Sequence, residues 1–265
     1  MKLSLNGALV EAAEARIAPD DRGFTLGDGV FETIALKKAA PKRLAAHLAR
    51  LRDGAGVLGI SVPYTDTKIG ELVAAVISAN EMSEGALRLT LTRGPGARGL
   101  TPPEAPTPTF LITVGPLPPD DPLTLMVARG TRRDETSVLA RVKHLGYLDN
   151  ILARREALAA GADDAVILNL AGRVAETTIA NLFCLIGGGL VTPPVSEGAL
   201  PGVMRAEVIR LTRADERPIE VAELERSSEV FVSNALGIRP VTKVNGRAVG
   251  DGVPGLITQM LAVRL

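Results

Sequence analysis

Gly115-Pro116-Leu117-Pro118-Pro119-Asp120-Asp121-Pro122 divides the chain. Proline fixes φ and lacks the N–H that a helix interior or a central strand needs, so four prolines and two acids in this run can continue neither. A linker is therefore expected at 118–122, with one domain over 1–117 and a larger one over 123–265.

Upstream of the linker, strands come before and after helices. Asn6-Gly7 is a type I′ hairpin signal between strands Lys2–Leu5 and Ala8–Val10. Val30–Leu36, Leu87–Thr92 and Thr109–Val114 read as further strands. Leu44, Leu48, Leu51, Ala55 and Leu58 recur at helical spacing, and Thr65-Asp66 can cap a second helix through Ile69–Ser78. Downstream, a strand is expected over Leu123–Ala128 and a helix over Leu145–Ala160, ending at Gly161. Ala165–Leu168, Arg173–Glu176, Leu182–Leu185 and Leu190–Val191 read as short antiparallel strands. A helix starts near Gly202, strands follow at Glu229–Ser233 and Arg239–Val244, and a helix over Leu256–Val263 closes the chain. Strands and helices do not alternate strictly, so the fold class expected is α+β rather than a doubly wound parallel sheet.

Composition narrows the function. The 265 residues are 46% hydrophobic, which suits a globular core. Formal net charge is zero and aromatics are 3%, so neither a phosphate-backbone footprint nor a stacking platform for nucleic acid is present. Cys184 is the only cysteine, which rules out an intrachain disulfide and a multi-cysteine zinc site. His47 and His144 have no partner at metal-ligand spacing, so no metal is expected. The N-terminus lacks a signal-peptide pattern and no apolar run reaches membrane-spanning length, so a cytoplasmic protein is expected.

A few residues stand out for chemistry. Lys143 lies between a strand and an apolar helix, where partial desolvation would free an amine for Schiff-base chemistry; a surface lysine would look the same. Glu176 ends a strand-like segment, either as a solvated carboxylate or as a fixed acceptor. Leu200-Pro201-Gly202-Val203-Met204-Arg205 sets Pro and Gly at a helix start, where backbone N–H groups suit a phosphate and Arg50 could assist. Arg93-Gly94-Pro95-Gly96-Ala97-Arg98-Gly99 offers two arginines on a glycine-rich loop, suited to a carboxylate and wrong in spacing for a nucleotide fingerprint.

In this order the segments resemble the class IV aminotransferase family. Asp21 through Glu32 resembles its N-terminal signature, and His47 through Leu51 its phosphate-arginine helix. Lys143 with Tyr147-Leu148-Asp149-Asn150 resembles the lysine segment. Gly161 through Glu176 with Asn181-Leu182-Phe183 resembles the core signature, and Leu200 through Arg205 the phosphate turn. The resemblance implies a fold-type IV pyridoxal 5′-phosphate (PLP) enzyme. It would have a small N-terminal α/β domain, a larger C-terminal mixed-β domain that binds PLP, and a homodimeric assembly. It further implies that Lys143 carries the cofactor and Glu176 meets the pyridine nitrogen. Arg50 with the N–H groups of Val203 and Met204 would hold the phosphate, with Tyr147 near the ring and Asn234 on the phosphate side. Branched-chain aminotransferases, D-amino-acid aminotransferases and aminodeoxychorismate lyases share this scaffold. The triplet Arg98-Gly99-Leu100 lacks the histidine of the D-amino-acid enzymes, and Arg93-Gly94 through Arg98-Gly99 resembles the lyase loop, with Arg93 and Arg98 as substrate-carboxylate contacts. A non-catalytic PLP-binding homologue is the alternative of another class, and retention of both Lys143 and Glu176 speaks against it.

Overall fold

The computed structural model describes residues 1–265, which form two compact units. The first comprises Met1–Pro118 together with Val142–Gly146, and the second comprises Pro119–Arg141 and Tyr147–Leu265.

In the first unit, β1 (Lys2–Leu5) and β2 (Ala8–Glu11) form a hairpin whose turn residues Asn6 and Gly7 both take positive φ, as a type I′ turn requires. A short helix α1 (Arg22–Leu26), with Asp21 at its start and Gly27 at its end, leads into β3 (Gly29–Lys37) and the two-residue β4 (Ala40–Pro41). Helices α2 (Leu44–Leu58) and α3 (Asp66–Ala79) follow, then β5 (Gly85–Thr92) and β6 (Thr109–Gly115). The six strands form one antiparallel sheet in the order β2-β1-β6-β5-β3-β4. Leu87, Leu89 and Leu91 alternate along β5 and bury one sheet face against Leu48, Leu51 and Ala55 of α2 and Ile69, Val73 and Val76 of α3. Thr65 caps α3, its hydroxyl accepting from the Lys68 N–H.

Val142–Gly146 adds to the edge of β3. The Phe31 N–H donates to the Lys143 carbonyl, and the Leu145 N–H donates to the Gly29 carbonyl, each at 2.9 Å. This pairing overrides the local helical signal at Leu145, so the next helix begins only at Leu148.

The second unit opens with β7 (Leu123–Arg133), longer than its expected span, and α4 (Leu148–Ala159). Strands β8 (Asp164–Asn169), β9 (Val174–Thr177), β10 (Asn181–Ile186) and β11 (Gly189–Thr192) precede helix α5 (Val203–Thr212). Then come β12 (Asp215–Glu216), α6 (Val221–Leu224), β13 (Glu229–Asn234), β14 (Gly237–Val244), β15 (Arg247–Ala248) and α7 (Leu256–Arg264). The sheet runs β12-β11-β10-β13-β14-β7-β8-β9, with β15 paired to β14. It is mixed. β8 was expected among antiparallel strands, but it pairs parallel to β7, as do β14 with β7 and β11 with β12. The β7–α4–β8 crossover makes that possible, because Ala128, Ala153, Ala157, Ala162 and Ala165 let the helix lie close on the sheet. Elsewhere on the sheet Phe183 and Phe231 stack with centroids 5.0 Å apart and bury against Met204 and Val208 of α5. No helix is long and apolar enough to cross a membrane.

Candidate active site

The first unit builds two polar centres on opposite faces of β3. Val30, Glu32 and Ile34 pair with Leu91, Leu89 and Leu87, so Glu32 faces the helices. There it is fully buried, and α2 supplies its partners at i and i+3. His47 Nδ1 lies 2.7 Å from Oε2, while Arg50 Nε donates to Oε1 and NH2 to Oε2, each at 2.7 Å. Burial alone would push the Glu32 carboxyl up, but the hydrogen bonds and charge of His47 and Arg50 outweigh it and hold the group below its ordinary value. Arg50, expected at the phosphate, is thus a preorganised guanidinium with one edge anchored on Glu32.

Phe31 points to the other face. The Lys143 Nζ lies 4.4 Å from the centre of its ring, and the Arg88 guanidinium carbon lies 3.8 Å from it. Lys143 is therefore half-buried against an aromatic plane, which helps position the amine. Arg88 belongs to no motif in the sequence. Its one signal is a charged residue within the alternating leucines of β5.

The glycine-rich loop after β5 is fixed by a buried ion cluster. Arg93 donates from Nε and NH2 to the Asp28 carboxylate, from NH1 to the Gly59 carbonyl and from NH2 to the Leu58 carbonyl. Arg22 donates from Nε to Asp28 Oδ2 at 2.8 Å and reaches the carbonyls of Gly99 and Leu100 at 3.0 Å each. Burial raises the Asp28 carboxyl, and the two guanidiniums more than reverse that, leaving it below its ordinary value. Arg93 does not fill the carboxylate-contact role expected of it: all three of its nitrogens are turned inward. Arg98 is exposed on the loop whose following carbonyls Arg22 clamps.

In the second unit Glu176 sits on β9 and is buried. Arg133 NH2 lies 2.9 Å from its Oε1, and the Leu200 N–H donates to Oε2 at 3.0 Å. Asn181 donates to the Leu200 carbonyl at 2.9 Å and stands 3.5 Å from Glu176 Oε2. Beside it α5 begins at Gly202 with no side-chain cap, so the first-turn N–H groups, Val203 and Met204 among them, remain available to an anion. Gly202 is required by close approach, because a Cβ there would stand 2.0 Å from Asn181 Oδ1. Tyr147 is the half-buried residue before α4, and Asn234 ends β13 with its side-chain oxygen accepting from the Leu236 N–H. Cys184 is fully buried, and burial pushes its thiol up to about 12, which makes it a core residue and no nucleophile. His47 is a structural partner of Glu32, and His144 accepts from the Gly146 N–H through Nδ1.

Residues 29–244 match the family model for amino-transferase class IV. The chain belongs to the class IV aminotransferase family. A Methanocaldococcus jannaschii protein, provisionally named a branched-chain-amino-acid aminotransferase, is 33% identical over 98% of this chain and 94% of its own length. The Escherichia coli branched-chain amino acid aminotransferase superposes with a TM-score of 0.93 at 27% identity, covering 98% of this chain and 91% of that one. A Legionella pneumophila protein provisionally named a 4-amino-4-deoxychorismate lyase superposes with a TM-score of 0.87 at 30% identity, covering 96% and 95%.

Class IV aminotransferases are PLP-dependent enzymes, and so is this one. The residue types present suit that cofactor: the first unit has the Lys143 amine and the anchored Arg50 guanidinium, and the second has the fixed Glu176 carboxylate and an uncapped helix start. Sequence reasoning missed Arg133 and Arg22 because what distinguishes each is a contact distant along the chain.

Proposed function

We propose that this class IV enzyme is a 4-amino-4-deoxychorismate lyase that releases pyruvate and 4-aminobenzoate, a folate precursor, in the cytoplasm. The observation that carries the reading is Arg98, exposed on a loop that the Arg22–Asp28–Arg93 cluster holds in shape. An exposed guanidinium on a loop whose backbone is held suits a substrate with two carboxylates better than an aliphatic amino acid. The similarity to the Legionella protein over nearly the whole of both chains supports it.

Bound PLP supplies an electron sink for the carbon that bears the substrate amine. Lys143 would hold the cofactor covalently at rest, and its amine, released when the substrate amine displaces it, would take the proton from that carbon. The bond to the enolpyruvyl oxygen breaks, the leaving group takes up a proton to become pyruvate, and the ring gains aromaticity. Glu176 would accept from the ring nitrogen, and Arg50 with the Val203 and Met204 N–H groups would hold the phosphate. Tyr147 would contribute near the ring and Asn234 on the phosphate side. The loop with Arg98 binds substrate carboxylate.

The test is 4-aminobenzoate formation by purified holoenzyme with no keto acid added. Arg98→Ala should lower kcat/KM about ten- to a hundredfold, the worth of one charge-assisted hydrogen bond. Retained cofactor absorbance would show that the cofactor site is intact. Branched-chain or D-amino-acid transamination is the second reading, and the Escherichia coli and Methanocaldococcus relatives favour its branched-chain form. Keto-acid-dependent transamination of an aliphatic amino acid without 4-aminobenzoate would decide for it.

A homodimer belongs to the same proposal. Leu148, Ile151, Leu152 and Leu158 are exposed on α4, an apolar stripe that a second copy of this chain would cover. Light scattering should return twice the 27.7 kDa chain mass, and a monomer at micromolar concentration would refute it.

A further inference from the structure

The Glu176 carboxylate is held from both oxygens. Arg133 NH2 lies 2.9 Å from Oε1, while the Leu200 N–H at 3.0 Å and Asn181 Nδ2 at 3.5 Å address Oε2. Arg133 is itself confined. It leaves the end of β7 beside Gly198, whose φ is +91°, and a Cβ at Gly198 would stand 2.6 Å from Arg133 Cγ. Its NH1 lies 3.5 Å from Asn150 Oδ1 on α4, and Asn150 Nδ2 donates to the Thr178 carbonyl at 2.5 Å, two residues past Glu176. Asp164 steadies the same segment by accepting from the Thr178 hydroxyl and pairing with Arg154 at 3.1 Å. A long, rotamer-rich side chain is thus fixed so that its guanidinium meets one carboxylate. The arrangement persists although Arg133 Nε is buried with no hydrogen-bond partner, a cost that an uncharged residue here would avoid.

We propose that Arg133 is a positioning residue that acts through Glu176, holding its carboxylate as an oriented anion. A guanidinium keeps its charge in a protein, and a fixed positive charge beside a carboxylate favours the ionised form. Toward a ring nitrogen Glu176 then only accepts, and the shared proton resides on the nitrogen, where it sustains the electron sink. The inference rests on the role proposed for Glu176 and adds the residue that decides where that proton sits.

Apoprotein reconstituted with PLP carrying nitrogen-15 in the ring reports the proton's position without turnover, since the ring-nitrogen resonance separates protonated from unprotonated forms. Wild type should show the protonated position. Arg133→Met and Arg133→Gln, two uncharged side chains of different polarity, should each move the resonance toward the unprotonated position. Arg133→Lys should keep it near wild type. Glu176→Gln should also move it, and adding Arg133→Met to Glu176→Gln should move it no further, as expected of two residues acting as one unit. An unmoved resonance in both uncharged Arg133 variants, with a moved one in Glu176→Gln, overturns the role of Arg133 and leaves that of Glu176 standing. An unmoved resonance in Glu176→Gln overturns the reading of Glu176 itself. A further shift in the double variant overturns action through Glu176.

Discussion

Lys143→Ala protein will bind PLP without retaining it covalently, and its turnover will fall about a thousandfold, within the range of 10²–10⁴ that a positioned acid–base group contributes. Two functions are lost together in that variant, the covalent hold and the proton transfer, and they can be separated. Borohydride treatment of wild-type holoenzyme should fix the cofactor on one peptide, the one containing Lys143, and leave nothing fixed in the variant. A small primary amine added to the variant should return part of the turnover, because it can move a proton although it cannot anchor the cofactor. Cofactor fixed on a peptide with a different lysine would remove Lys143 from its role. The geometry that motivates the prediction is local. The backbone around Lys143 is stitched to β3 by two hydrogen bonds of 2.9 Å, and its Nζ lies 4.4 Å from the Phe31 ring centre. Alanine disturbs neither the backbone pairing nor the ring, so the loss of function should come with little loss of stability.

What the sequence discloses and what it hides both show in this segment. Local signals located α2, whose apolar residues repeat at helical spacing from Leu44 to Leu58, and the Asn6-Gly7 turn, whose positive φ values suit those residue types. They located the uncapped start of α5 as well, since Pro201-Gly202 marks it by backbone chemistry alone. They put the helix after Lys143 three residues too early, because pairing of Val142–Gly146 with β3 is a contact between positions more than a hundred residues apart. The parallel pairing of β7 with β8 was hidden for the same reason: alternation within a strand shows which side is buried, not which neighbour it takes. Arg93 and Arg98 looked alike on the glycine-rich loop. Only Asp28 and the carbonyls of Leu58 and Gly59 distinguish the buried arginine from the exposed one.

Glu32→Gln should be the most destabilising single-atom-scale change in the first unit. Glu32 is fully buried and accepts from both His47 and Arg50, so its carboxylate offsets the desolvation of the Arg50 guanidinium, itself largely buried. Removing one partner of such a pair leaves the other charge uncompensated, at a cost of about 3–5 kcal/mol. At roughly 2–4 °C per kcal/mol for a protein of this size, the melting temperature should drop by about 6–20 °C. The pH dependence gives a second, independent readout. Glu32 is held below its ordinary carboxylate value, so its contribution is complete above that value and disappears as pH falls through the lowered one. Wild-type melting temperature should therefore fall as the solution is acidified below about pH 4, and the fall should be shallower in Glu32→Gln, which has no such proton to take up. The Asp28 cluster titrates in the same direction and should leave residual acid sensitivity in the variant. Cofactor affinity links stability to function here. Arg50 is anchored by Glu32 along one edge, so an amide at position 32 should also weaken PLP binding by freeing the guanidinium proposed to hold its phosphate. A variant that melts like wild type at neutral pH, with an unchanged acid slope, would show that the buried carboxylate does not organise α2 against β3.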